Sequence, residues 1–175
     1  MNQVSFIILE NNRIMKNIFF TILTLALFSC EHNGEECCKN FEVDLLISIT
    51  NGNGKDLLNP ANGEININNF KLYYKTQSGD LVLFDKHNLD KPKGFKLVAP
   101  EESGNKFYSI DLLLNTEYIF NNDTSTTIIN WSDEKSYEII TLFSKGNNSL
   151  FAERVFIDNK LVVDSGENRY ITIID

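Results

Sequence analysis

From Phe41 onward the apolar residues recur at every second position in short runs, and each run is closed within a few residues by Gly, Asn, Asp, Ser or Pro. A period of two places one face of an extended chain in apolar surroundings, whereas a helix would need a period near 3.6, so the pattern excludes most folds before any other residue is considered. The opening run is the clearest. Phe41, Val43, Leu45, Ile47 and Ile49 alternate with Glu42, Asp44, Leu46, Ser48 and Thr50. Further strands are predicted at 68–76, 81–85, 95–99, 106–114, 126–132, 137–143, 150–157, 161–164 and 170–174, which makes about ten with the first. Ser78-Gly79-Asp80, Pro92-Lys93-Gly94, Ser103-Gly104-Asn105, Lys145-Gly146-Asn147-Asn148 and Ser165-Gly166-Glu167 separate them, each rich in residues that favour turns or positive φ. Asp158-Asn159 has the form of a tight hairpin turn.

No window of a dozen residues carries a helical stripe, and β-branched and aromatic side chains dominate the apolar set. Short strands at this spacing predict an all-β chain folded as an antiparallel β-sandwich, Ig-like or transthyretin-like, rather than a closed barrel. With 42% hydrophobic and 23% charged residues the composition is that of an ordinary globular domain, so 41–175 is expected to form one domain without a second core.

The N-terminal part obeys a different grammar. From Met15 the chain reads M-K-N-I-F-F-T-I-L-T-L-A-L-F-S-C: one lysine, an 11-residue apolar run from Ile18 to Phe28, then a small residue before a cysteine. A helix crossing the hydrocarbon core needs about 20 apolar residues, so this run suits a cleaved signal peptide better than a permanent span. Residues 1–29 are therefore read as the signal, with Met15 as the expected start, since the polar Glu10-Asn11-Asn12-Arg13 break adds nothing a signal needs. Residues 30–40 are polar and aperiodic, a flexible tether. Removing 1–29 leaves 146 residues and moves the net charge from −8 to −9, a surface that repels phosphate backbones and anionic headgroups. Nucleic acid is thereby disfavoured as a partner, and membrane attachment has to come from something other than charge.

Leu27-Phe28-Ser29-Cys30 resembles the lipobox of bacterial lipoproteins, in which the cysteine takes the lipid and becomes the new N-terminus; Phe28 is bulkier than the residue usual at its position. Glu31, Glu35 and Glu36 behind Cys30 are similar to the surface-export signals of Bacteroidota-type lipoproteins. Asp56-Leu57-Leu58-Asn59-Pro60, Phe70-Lys71-Leu72-Tyr73-Tyr74 and the closing run Arg154 to Val162 resemble small uncharacterised lipoproteins of that type. The resemblance implies a cell-envelope protein, lipid-anchored to the outer membrane through Cys30, with a β-sandwich beyond it. It implies no activity.

Residues able to carry chemistry are few. His87 is the only histidine beyond the tether and lies in the charged run D-K-H-N-L-D-K-P-K-G, where an exposed loop residue is the simpler account than the base of a Ser-His-Asp arrangement. Glu101-Glu102 and Asp133-Glu134 fall in expected turns, where solvation explains them without a paired-carboxylate glycosidase. His32, Cys37 and Cys38 lack the second ligand pair of a zinc site, and Asn51-Gly52-Asn53-Gly54-Lys55-Asp56 offers a single carboxylate, short of a calcium loop, so neither a metal nor a cofactor is expected. Cys37 and Cys38 remain as a candidate disulfide, either with each other or between molecules, that the folded part does not need.

The functional hints are aromatic. Alternation turns Leu72 and Tyr74 inward and stands Tyr73 outward between Lys71 and Lys75, where a ring can stack on a sugar or on a partner chain. Trp131, the sole tryptophan, shares its face with Ile129 and is expected in the core first and as a ligand platform second. These features predict a non-enzymatic binding or scaffolding module whose partner is an envelope protein or a glycan. The alternative is a small glycan-binding or glycan-cleaving protein. A third reading, an inhibitor or adhesin, predicts long mobile loops, with residues 85–94 the best candidate.

Overall fold

The computed structural model describes residues 40–132, 134–165 and 169–175. The expected signal peptide, Cys30, Cys37 and Cys38 lie outside the described residues. So does Asp133.

Among the described residues eleven strands form two sheets packed face to face. The larger contains β1 (Asn40–Glu42), β3 (Lys71–Lys75), β4 (Leu81–Leu83), β7 (Thr124–Asn130), β8 (Ser136–Lys145), β9 (Ser149–Ile157) and β10 (Lys160–Val163). Its order is β1-β9-β8-β7-β3-β4, and β10 shares the β9 edge with β1. The smaller contains β2 (Asp44–Thr50), β5 (Phe95–Val98), β6 (Ser109–Leu113) and β11 (Tyr170–Ile174) in the order β11-β2-β6-β5. Two short helical turns, a 3-10 turn at Ile67–Asn69 and α1 at Pro100–Ser103, are the other elements among the described residues. No helix among the described residues is long and apolar enough to cross a membrane.

The sandwich is as expected, but it is not wholly antiparallel. β1 runs parallel to β9 and β11 runs parallel to β2. Both exceptions are the first and last described strands, each added at the edge of a sheet, where a long connection can bring the chain back in the same direction. The opening run also divides. It was expected as one strand over 41–50, yet Val43 separates β1 in one sheet from β2 in the other. Alternation continues through the break, so the change of sheet leaves no mark on the pattern.

The core is what the alternation requires. Leu45, Ile47 and Ile49 of β2 and Ile110 and Leu112 of β6 meet Leu72 of β3, Ile129 of β7, Ile139 of β8 and Val155 of β9, all buried almost completely. Full burial of such side chains contributes about 1.5–3 kcal/mol each. On the opposite face of the smaller sheet, hydroxyls tie three strands together: Ser48 Oγ bonds the Tyr108 carbonyl at 2.9 Å, Ser109 Oγ at 3.0 Å and the Tyr170 hydroxyl at 2.9 Å.

Tyr74 and Asn115 are polar residues that join the sheets. The Tyr74 hydroxyl, on β3, donates to the carbonyl oxygens of Leu113 and Leu114 at 3.3 and 3.2 Å. Asn115, which follows β6 and is fully buried, donates from its amide to the carbonyls of Lys75 and Thr126 at 3.2 and 3.0 Å. Its Oδ1 accepts the N–H groups of Glu117 and Tyr118 at 3.2 and 3.0 Å. Every hydrogen-bonding position of that amide is thus used.

Burial, reinforced by the charges of Glu117 and Asp44, pushes the Tyr74 phenol well above its ordinary value. The fold therefore favours the protonated phenol. Its contribution is complete below about pH 10 and is lost as the pH rises beyond that value. Tyr74→Phe should cost about 1 kcal/mol at pH 7 and should flatten the fall in stability between pH 9.5 and 11, measured as urea midpoints. A variant with the same alkaline slope as the parent would remove Tyr74 as its source.

Candidate functional site

The loop at 85–94, the candidate for a long mobile one, is held at Lys91. Lys91 inserts its ammonium group, 12% exposed, between Asp111 at 2.6 Å and Asp44 at 2.9 Å, and the Lys86 N–H donates to the Pro92 carbonyl at 2.7 Å. His87 stays at the tip with its side chain 89% exposed, and its nearest charged neighbour is Asp85 at 3.6 Å. Among the described residues no serine is hydrogen-bonded to it. Glu101 and Glu102 sit exposed in the first turn of α1. In the Asn51–Asp56 turn the Asn51 Oδ1 accepts the N–H groups of Asn53 and Lys55, and Asp56 accepts those of Leu58 and Tyr108; these are structural bonds that leave no cluster facing solvent. Among the described residues no three of His, Cys, Asp and Glu gather as a metal would require.

What the fold does assemble lies at one end of the larger sheet. β3 and β7 pair so that Lys71 stands opposite Asn130 and Tyr73 opposite Ile128, all on the outer face. Before β3 the chain turns through N-I-N-N: Asn66 Oδ1 accepts the Asn68 N–H at 3.0 Å and starts the 3-10 turn, which swings Asn68 and Asn69 beside Lys71. After β7 the chain turns again. The Trp131 N–H donates to the Lys135 carbonyl at 3.3 Å, and Ser132 Oγ accepts the Lys135 N–H at 3.1 Å. Asparagine and serine dominate these turns because their short side chains can bond the local backbone in place of the sheet ladder.

The two turns and the strand ends enclose a concavity of about 610 Å³, lined by Asn68, Asn69, Lys71, Tyr73, Asn130, Trp131 and Ser132. Its size falls within the range of small-ligand sites, about 300–1,000 Å³. The floor is rigid. Trp131 is 5% exposed, stacks on Tyr137 with ring centroids 4.6 Å apart, and lies 5.9 Å from Phe70. Tyr73 is half-buried on the outer face, with Leu83 of β4 as its neighbour on the other side. Asn130 Oδ1 is closed off from bulk water and has no hydrogen-bond partner among the described residues, an arrangement that costs free energy.

Tyr73 and Trp131, separate candidates in the sequence, thus share one wall, Tyr73 as a presented ring and Trp131 as buried support. The three asparagines and Ser132 were not foreseen as site residues. All four fall within the runs 68–76 and 126–132 that were expected as strands, and the signal that would have found them, the pairing of β3 with β7, is not local. Comparison of the chain with protein-family models, with curated proteins and with solved structures gives no match.

Proposed function

We propose that this chain is a lipid-anchored module of a bacterial cell envelope, of the Bacteroidota type, that binds another component without transforming it. The address rests on the segment from Met15 to Cys30, whose charge, apolar length and terminal Leu27-Phe28-Ser29-Cys30 suit export followed by acylation. The binding part rests on one observation: the Tyr73–Trp131 concavity presents amide, hydroxyl, ammonium and ring surfaces on a rigid sheet end. Such a wall has donors, acceptors and a stacking face, the means of holding a polar ligand in place. The alternative, a glycan-directed protein, is favoured by the same mixture of amides beside an aromatic ring.

The address is tested through Cys30. Cys30→Ala, expressed in a bacterium that processes lipoproteins, should leave an unlipidated chain that no longer pellets with membranes, while the parent carries the mass of a diacylated or triacylated N-terminal cysteine. An intact 1–29 segment on the native mature protein would overturn the anchor.

A further inference from the structure

Resting on that reading of the concavity as a binding site, we propose that its ligand is a neutral pyranose unit of a glycan, stacked on Tyr73 and held through its hydroxyls by Asn130, Asn69 and Ser132. The argument is one of matching chemistry. A sugar ring has an apolar patch of C–H groups on its face and vicinal hydroxyls on its edge, each both donor and acceptor. The site answers both requirements. Tyr73 offers an electron-rich ring face on a strand whose backbone is fixed on both sides, by β4 and by β7. Asn130 and Asn69 carry amides, which can accept from one hydroxyl and donate to the next. Ser132 Oγ spends an acceptor position on the Lys135 N–H and keeps its own O–H.

Charge selects among sugars. Lys71 is the one cationic side chain in the described wall, while the whole chain carries a net charge of −8. A uronate or phosphate group approaching it meets that net repulsion with a single compensating ammonium, whereas a neutral hydroxyl takes a hydrogen bond from Lys71 and pays nothing to the field. A peptide strand, by contrast, would be recognised through open backbone groups of a sheet edge, and the concavity is walled by side chains.

The protein carries its own reporter, because its only tryptophan, Trp131, lines the site. The full chain in detergent is titrated with cellohexaose, maltohexaose, mannohexaose, xylohexaose and chitohexaose, and with hexagalacturonate as the acidic control, while Trp131 emission is followed. At least one neutral hexaose should give a saturable change with a Kd between about 10 μM and 3 mM, the weak range that a shallow site with one stacked ring affords. Tyr73→Ala should weaken that binding at least 10-fold, the effect expected for one lost stacking face, and Asn130→Ala at least 3-fold. Both variants should keep the parent's unfolding midpoint within about 3 °C, so that lost binding is not lost fold. The proposal is overturned if no neutral hexaose saturates by 10 mM, if Tyr73→Ala binds as tightly as the parent, or if hexagalacturonate binds best. A chain that ignores every hexaose yet carries an acylated Cys30 loses the sugar and keeps the envelope anchor, because acylation is scored by mass and not by binding.

Discussion

Replacing Asn115 by leucine should lower stability by about 3–5 kcal/mol, the largest effect expected of any single polar residue here. Leucine has the same branched shape but bulkier methyl groups, so some crowding adds to a loss that is mainly one of hydrogen bonds. The change strands the carbonyls of Lys75 and Thr126 and the N–H groups of Glu117 and Tyr118, and each buried group left unmade costs about 1–3 kcal/mol, less where water can reach it. Asn115→Asp separates donors from acceptors. A carboxylate still accepts from Glu117 and Tyr118 but turns a negative oxygen toward two carbonyls, so its folded-state pKa should rise above the unfolded value near 4. The protonated form then holds the fold best, and the variant should lose stability as the pH rises from 4 to 7. Urea midpoints at pH 4.5 and 7.5 measure this. Equal midpoints for Asn115→Asp at the two values, after subtracting the parent's own change, would show that Asn115's donors are dispensable.

Gly94→Ala is the second. Gly94 has φ +79, a region that glycine enters freely and that costs other residues about 1–2 kcal/mol. A Cβ there would also lie 2.3 Å from Leu72 Cδ2 and 3.0 Å from Phe84 Cδ1. Leu72 is completely buried and Phe84 nearly so, and overpacking of this kind costs about 1–3 kcal/mol more. The sum, about 2–5 kcal/mol, should lower the thermal midpoint by about 10 °C in a domain of this size. Gly79 gives the control. Its φ is +91, but nothing lies within 4 Å of the Cβ position, so Gly79→Ala should show the backbone cost alone. Equal shifts in the two variants would mean that the contact with Leu72 relaxes without cost.

The boundary between what sequence could and could not show follows a physical line. Alternation depends on one strand at a time, and it located β2, β3, β9 and β11 closely, including the outward Tyr73 between Lys71 and Lys75. Pairing depends on strands far apart in the chain. For that reason the break at Val43 and the two parallel additions were invisible, and so was the arrangement that puts Asn130 beside Lys71. The run expected at 106–114 begins late, at Ser109, because the carboxylate of Asp56 holds the Tyr108 N–H and keeps the chain bent before that point. Likewise Lys91 looked like part of a solvated charge run, and only the placement of Asp44 and Asp111 on adjacent strands of the smaller sheet makes it an anchor.

The way β1 is attached has a mechanical consequence. Force entering from the N-terminal side reaches Asn40–Glu42 first, a strand of three exposed residues bonded on one side only, to β9. Its other hold is Arg169, whose guanidinium bonds the Glu42 carbonyl and pairs with the Glu42 carboxylate at 3.3 Å. Behind it stands β2, seven residues long and zipped to β11 and β6 on both sides. A pull strips the short strand and stops at the long one. The three released residues, already extended, span roughly 10 Å and can re-pair when the tension falls. In a chain tethered as proposed, β1 would act as a mechanical fuse, taking up a tug from the N-terminal side before it reaches the hydrophobic interior.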